Sequence, residues 1–157
     1  MPEQKHMFGV ATKGMIIKDN KLLIVYKSKE EAKEWSSEEI TLDSNYEVRR
    51  DLPGGRLDFG EDPKTALERE INEEVGLIVD IIKPLDVWHL IKDKFQLIGI
   101  NYLCIWKEGE VVLSDEHEAY EWLSEEELHA KKWNDLKRYL LAFEAVEGEN
   151  YGKKINY

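Results

Sequence analysis

The stretch from Asp62 to Gly76 constrains this chain more than any other. Asp62 stands in the N-cap place, Pro63 at the first helical position and Gly76 at the stop, so the residues between them are expected to form a helix of about four turns. On a wheel that advances about 100° per residue from Leu67, Leu67, Ile71 and Val75 fall between about 0° and 80°. Glu70, Glu73 and Glu74 fall near roughly 300°, 240° and 340°. An apolar stripe for a core therefore runs beside a stripe of carboxylates. Residues three and four apart are surface neighbours, so the three carboxylates repel one another. Something positive must resolve that repulsion. Lys and Arg from elsewhere could do so, and so could a hard divalent cation such as Mg²⁺, which takes oxygen ligands from one or two carboxylates plus substrate phosphates. Arg69, one turn before Glu73, can orient that carboxylate through a charge-assisted hydrogen bond.

The rest of the chain supplies strands to cover this helix. Val10–Ile17 and Leu22–Tyr26 flank the turn Lys-Asp-Asn-Lys and read as a hairpin. Residues 27–45, dense in Lys and Glu with Trp35 as their only aromatic, read as an excursion able to fold over a ligand. Tyr46–Leu52 reads as extended, and Leu77–Ile82, Leu85–Ile91, Phe95–Trp106 and Glu110–Leu113 as further strands. Ser124 to Glu127 has capping-box spacing, and Leu136, Leu140 and Phe143 recur at helical intervals. Strands interleaved with two principal helices predict a mixed α/β layered domain, and 157 residues without repeat or linker suit a single one.

Composition removes several classes of function. With 33 acidic residues against 22 Lys plus Arg, the net charge of -11 disfavours nucleic acid, and an anionic ligand needs help such as a metal. The longest apolar run, Leu22–Tyr26, is far below the ~20 residues of a membrane span, so no membrane partner is expected. The first residues lack the apolar core of a secretory signal, which makes the cytoplasm the default compartment. Cys104, the only cysteine, reads as a buried inert thiol. The histidines at 6, 89, 117 and 129 show no zinc-motif spacing, and His117 reads as a surface-loop residue.

From Gly55 the chain reads Gly-Arg-Leu-Asp-Phe-Gly-Glu-Asp-Pro-Lys-Thr-Ala-Leu-Glu-Arg-Glu-Ile-Asn-Glu-Glu-Val-Gly-Leu, ending at Leu77. This resembles the Nudix box, G-x5-E-x7-R-E-U-x-E-E-x-G-U with U aliphatic, at every specified position. The resemblance implies a Nudix-type α/β/α sandwich with a mixed sheet between helices. It also implies a hydrolase that cleaves a nucleoside diphosphate linked to another group, using Mg²⁺ or Mn²⁺. Carried over by position, Glu70 and Glu74 are the expected metal ligands, with Glu73 sharing a metal or orienting the water. The Gly55 carbonyl is a further expected ligand, and Arg69 resembles the family's orienting arginine. Gly60 and Glu61 are expected to shape the loop before the helix.

The box does not fix the general base. The segment Ser114-Asp-Glu-His-Glu118 looks like the family segment that follows the last sheet strand and often supplies it, which makes Glu116 the candidate and Glu118 the second. An acidic solvent loop leading to a helix is the alternative. Arg49 and Arg50 could receive phosphate oxygens bidentately, with only one of the two facing the site. Trp35, Trp88, Phe95, Tyr102 and Trp106 are available to stack on a base, and none is preferred. The substrate, a small nucleotide, stays open between nucleoside triphosphates and nucleoside diphosphate sugars such as ADP-ribose. A regulatory domain that binds nucleotide without turnover is the competing reading. Many relatives are dimers, so a homodimer is left open.

Overall fold

A computed structural model of the protein describes residues 5–33 and 46–149. Strands β1 (Met7–Lys18) and β2 (Lys21–Lys27) come first, followed by α1 (Lys29–Ala32) and a 3-10 turn (Tyr46–Arg49). Next come β3 (Arg50–Asp51), β4 (Gly54–Arg56), α2 (Pro63–Val75), β5 (Ile78–Lys92) and β6 (Phe95–Glu108). The order ends with β7 (His117–Leu123), α3 (Glu125–Lys131) and α4 (Leu136–Glu149). One mixed sheet runs β3-β2-β1-β6-β5, with β4 also on β1 and β7 also on β2. Strands β1 and β6 are parallel from Met7 to Ile17, and the other pairings are antiparallel.

The first hairpin explains why the sheet opens. Asp19 and Asn20 take positive φ, 48° and 62°, which matches the twist of a two-residue hairpin turn. Pairing of β1 with β2 then extends only over Ile17↔Leu22 and Lys18↔Lys21. Beyond that the two strands part, β4 taking β1 at Ala11–Lys13 and β3 taking β2 at Val25 and Tyr26. Residues from both arms of this splay line the cleft described below.

Side-chain alternation divides the core between the two faces of the sheet. Met15, Ile17, Leu22, Ile24, Tyr26 and Leu103 pack with Leu128 of α3 and Tyr139, Ala142 and Phe143 of α4. Ile16, Leu23, Val25, Tyr102 and Cys104 pack with Leu67, Ile71 and Val75 of α2. Each fully buried Leu or Ile stabilises the fold by roughly 1.5–3 kcal/mol, which is why α2 keeps its orientation despite its charged flank. The helix ends as expected. The Asp62 side chain accepts from Thr65 N at 3.0 Å, and Gly76, at φ 72°, donates to Asn72 O at 2.9 Å. At α3, Ser124 and Glu127 cap each other reciprocally. Burial shields the Cys104 thiol and raises its pKa.

Several expected elements are corrected. Residues 77–91 do not form two strands, because β5 runs through Pro84 and register shifts beside it let the ladder pass a residue with no N–H. Tyr46–Leu52 is a 3-10 turn followed by a two-residue strand. Glu110–Leu113 is not a strand. Val112 N instead donates to Val75 O at 3.0 Å and Ser114 N to Glu74 O at 2.9 Å, which satisfies carbonyls at the end of α2. The acidic segment 114–118 runs into β7, which pairs with β2, rather than into a helix after the last strand. Of the 27–45 excursion only its beginning, with α1, is described, so Trp35 and most of that expectation lie outside the described residues. No described helix is long and apolar enough to cross a membrane.

Candidate active site

A cleft of about 710 Å³ opens between the splayed strands, with the carboxylate flank of α2 on one side. Burial along α2 follows the wheel. Glu74 is angularly nearest the apolar stripe and is 6% exposed, whereas the side chains of Glu70 and Glu73 are 21% and 58% exposed. Glu74 and Glu70 line the cleft, and Glu73 is absent from its lining.

The Gly54-Gly55 strand lies directly against these two acids. Gly54 N donates to Glu74 Oε2 at 2.7 Å, and Gly54 has φ 139°, where a Cβ would meet Thr12 O at 2.0 Å. Only glycine fits there. A Cβ on Gly55 would come within 3.2 Å of Glu70 Oε2, so its bare backbone lets that carboxylate sit close. Lys13 approaches from β1 and donates from Nζ to Asp51 Oδ2 at 3.1 Å and to Gly54 O at 3.3 Å. Lys27 Nζ is 3.7 Å from the same Asp51 oxygen.

Protonation follows from this crowding. Burial, reinforced by the hydrogen bond and charge of Glu116, pushes Glu74 up to about 8, against the pull of Lys13 and the Gly54 N–H. Burial also raises Glu70; Arg69 and Lys13 oppose it, while Glu73 and Glu116 reinforce it. Asp51 would rise on burial, but Lys13 and Lys27 hold it below the usual carboxylate range. For Lys13, burial is outweighed by Asp51 and Glu74, and its pKa is raised. Burial lowers His117.

The remaining expected residues divide between the cleft and the surrounding frame. Arg69 lines the cleft and donates to Glu61 Oε2 at 3.0 Å and to Glu73 Oε2 at 3.1 Å, while Glu61 accepts from Asp58 N at 2.7 Å. Arg69 and Glu61 thereby brace the loop before α2. Glu116 lines the cleft beside Glu74. Arg50 lines it too, bonded to Asp135 at 2.8 Å and stacked 4.6 Å from the Trp133 ring. Arg49 does not: it is 3% exposed, donates to Lys27 O and pairs with the exposed Glu118, and neither residue lines the cleft. At another wall, Trp88 Nε1 donates to Asn101 Oδ1 at 2.9 Å and Arg138 Nε to Asp86 Oδ2 at 2.8 Å.

Three cleft residues escaped the sequence reading. Lys13 carried a usable signal, since it shares the strand face of Ala11, Met15 and Ile17, where a lysine has no reason to be unless paired. Asp51, beside the glycines, is its partner. His117 carried none, because its burial comes from β7 pairing with Lys27 of β2. It is 7% exposed, not a loop residue, and its Nδ1 is buried without a hydrogen-bond partner among the described residues. One ligand atom from each of Glu74, Glu116 and His117 lies within 4.8 Å of the others. These donors suit a divalent cation: two acids held close enough to retain a proton and an orphaned ring nitrogen are each relieved by a positive ion.

Comparison with known proteins identifies the family and the fold. The NUDIX domain family matches residues 7–143. Nucleoside triphosphatase NudI of Salmonella paratyphi B is 29% identical over 106 residues, spanning 60% of this chain and 75% of that protein. The crystal structure of a MutT protein from Methanosarcina mazei Go1 superposes with a TM-score of 0.66 at 22% identity, covering 95% of this chain and 99% of that one. An ADP-ribose pyrophosphatase from Streptococcus suis superposes at 0.61 with 20% identity, covering 88% and 91%.

Proposed function

The chain belongs to the NUDIX domain family, and from that premise we propose that it is a pyrophosphohydrolase of nucleoside triphosphates, dependent on Mg²⁺ or Mn²⁺. One observation carries the proposal: Glu70 and Glu74 of α2 and the sequence-distant Glu116 line a single cleft against a glycine strand that admits close approach. The triphosphate is favoured over a diphosphate sugar because the sequence relative is named a nucleoside triphosphatase, whereas the ADP-ribose pyrophosphatase shares only the fold. The reading takes the whole 157-residue chain as one hydrolase domain.

Glu70, Glu74 and the Gly55 carbonyl would hold the cation, which would supply neutralisation of phosphate oxygens and a lowered pKa for an attacking water. Glu116, on the turn facing Glu74, takes the proton from that water. Arg50 and Arg69 face the phosphates from the cleft walls. Lys13 stays with Asp51, fixing the Gly54 carbonyl and with it the glycine strand. Glu73, held by Arg69 outside the cleft, positions Arg69 rather than touching the reacting atoms.

The test is a panel of nucleoside triphosphates and diphosphate sugars assayed with Mg²⁺, read by product identity. Release of pyrophosphate or phosphate from a triphosphate by wild type, lost in Glu74→Gln, is expected. Tight nucleotide binding without any product from the panel would instead select the non-catalytic reading.

A further inference from the structure

We propose that His117 joins Glu74 and Glu116 to form a mixed nitrogen and oxygen site that selects imidazole-binding dications, Co²⁺, Ni²⁺ or Zn²⁺, over Mg²⁺. This rests on reading the cleft as a divalent-cation site and adds a ligand that the box does not contain; Glu116, the base when Mg²⁺ sits with Glu70 and Glu74, is instead a ligand to these dications.

Two independent features place a ligand here. The first is proximity: one donor atom from each of the three residues lies within 4.8 Å of the others. Donors about 2.1 Å from a tetrahedral ion lie roughly 3.4 Å apart, so closing the site asks for a contraction of at most about 1.4 Å. Glu116 can supply it, being exposed on a turn. The second is the orphaned nitrogen. His117 is 7% exposed, and its Nδ1 is buried with no partner among the described residues, a condition that costs about 1–3 kcal/mol unless a ligand satisfies it. His117 is also one of the residues lining the cleft.

The backbone holds these donors in place. Ser114 N bonds Glu74 O at 2.9 Å and His117 N bonds Ser114 O at 3.2 Å, stitching the segment to α2. Ser28 N bonds Glu116 O at 2.9 Å and fixes the other side to the end of β2. Lys13, the nearest cation, is neutralised by Asp51 at 3.1 Å, so it does not preclude a metal at Glu74. Carboxylate oxygen and imidazole nitrogen are both ligands of Zn²⁺, and three protein ligands leave a fourth position open. Imidazole favours the later first-row dications, whereas Mg²⁺ gains little from nitrogen.

The experiment uses chelator-stripped full-length protein without nucleotide. Calorimetry with Co²⁺, Zn²⁺ and Mg²⁺ is expected to show Co²⁺ and Zn²⁺ binding more tightly, with His117→Gln weakening them about tenfold or more while changing Mg²⁺ less than about twofold. Proton NMR of the Co²⁺-loaded wild type should show a strongly shifted, exchangeable imidazole N–H resonance. It should persist in His89→Ala and vanish in His117→Gln. If His117→Gln does not fold, anomalous diffraction from Zn²⁺-soaked wild-type crystals decides, with a zinc peak at bonding distance from the His117 ring expected. Zinc bound elsewhere, or Co²⁺ titrating His117→Gln as it does wild type, overturns the proposal. That failure is distinct from failure of the hydrolase reading, which would appear as no Mg²⁺-supported product from any nucleotide in the panel.

Discussion

Two polar clusters share the cleft, and they are built on opposite principles. Around Arg50, Asp135 and Tyr139 the charges and donors answer one another. Arg50 bonds Asp135 and stacks on Trp133, Tyr139 Oη donates to Asp135 Oδ2 at 3.0 Å, and Arg138 meets Asp86. Around Glu74 the same density of ionisable groups leaves a surplus of acids, a carboxylate that keeps its proton and a ring nitrogen with no partner among the described residues. Satisfied networks hold a wall rigid, whereas unsatisfied ones store free energy that a ligand can release. The contrast locates the chemistry more sharply than the presence of acids does, since acidic residues are abundant over this whole chain.

Glu74→Gln should widen the difference most. It removes the group's ability to ionise and hold a cation while keeping an acceptor for Gly54 N, so nucleotide hydrolysis is expected to fall by at least about a hundredfold, roughly 2.7 kcal/mol of barrier. The melting temperature should hold or rise. A loss of activity accompanied by unfolding at room temperature would show that Glu74 is structural.

The next effect is on stability. Because the folded pKa of Glu74 is raised, its contribution is complete below the unfolded carboxylate pKa and is lost as pH climbs through about 8. Metal-free protein should therefore melt at progressively lower temperature from about pH 6.5 to pH 8, above the range in which the lowered pKa of His117 opposes the trend. Mg²⁺ should restore the loss and release a proton, measurable by calorimetry in buffers of different ionisation enthalpy. A flat profile, or cation binding without proton release at pH 6.5, would equalise the two clusters.

Arg50→Ala tests the satisfied cluster. Breaking the Asp135 pair and the Trp133 stack should cost about 1–3 kcal/mol in denaturant unfolding. In kinetics it should raise KM more than it lowers kcat, since Arg50 is assigned to phosphate binding. Glu73→Gln should matter least of the helix acids, with activity reduced less than about tenfold, because its carboxylate is exposed and, among the described residues, pairs with Arg69. A loss equal to that of Glu74→Gln would return Glu73 to the metal.

Much of this was legible in the residues. Caps at Asp62 and Gly76 delimit α2, and the angular positions of its three glutamates already ranked them by depth, because helical periodicity is a local property. The layered α/β class followed from alternation and from the cap signals of α3. Whatever depended on pairing did not follow. β7 is too rich in Glu to announce itself as a strand, and it becomes one only because the edge of β2 accepts it. Glu110–Leu113 has strand composition, yet it is drawn instead to the open carbonyls of α2. Arg49 and Arg50 are equivalent as letters, and only the turn before β3 sends one inward to Glu118 and the other to the cleft.

The sequence by itself determined a capped helix with one apolar and one acidic stripe, and a glycine pair ahead of it. These are set by short-range geometry and side-chain volume. Tertiary structure alone decided which acids lose their water, that Lys13 and Asp51 neutralise each other beside them, and that His117 is buried next to Glu74 and Glu116. Desolvation and charge proximity are properties of the assembled surroundings, and residues far apart along the chain acquire them only when the strands close around them.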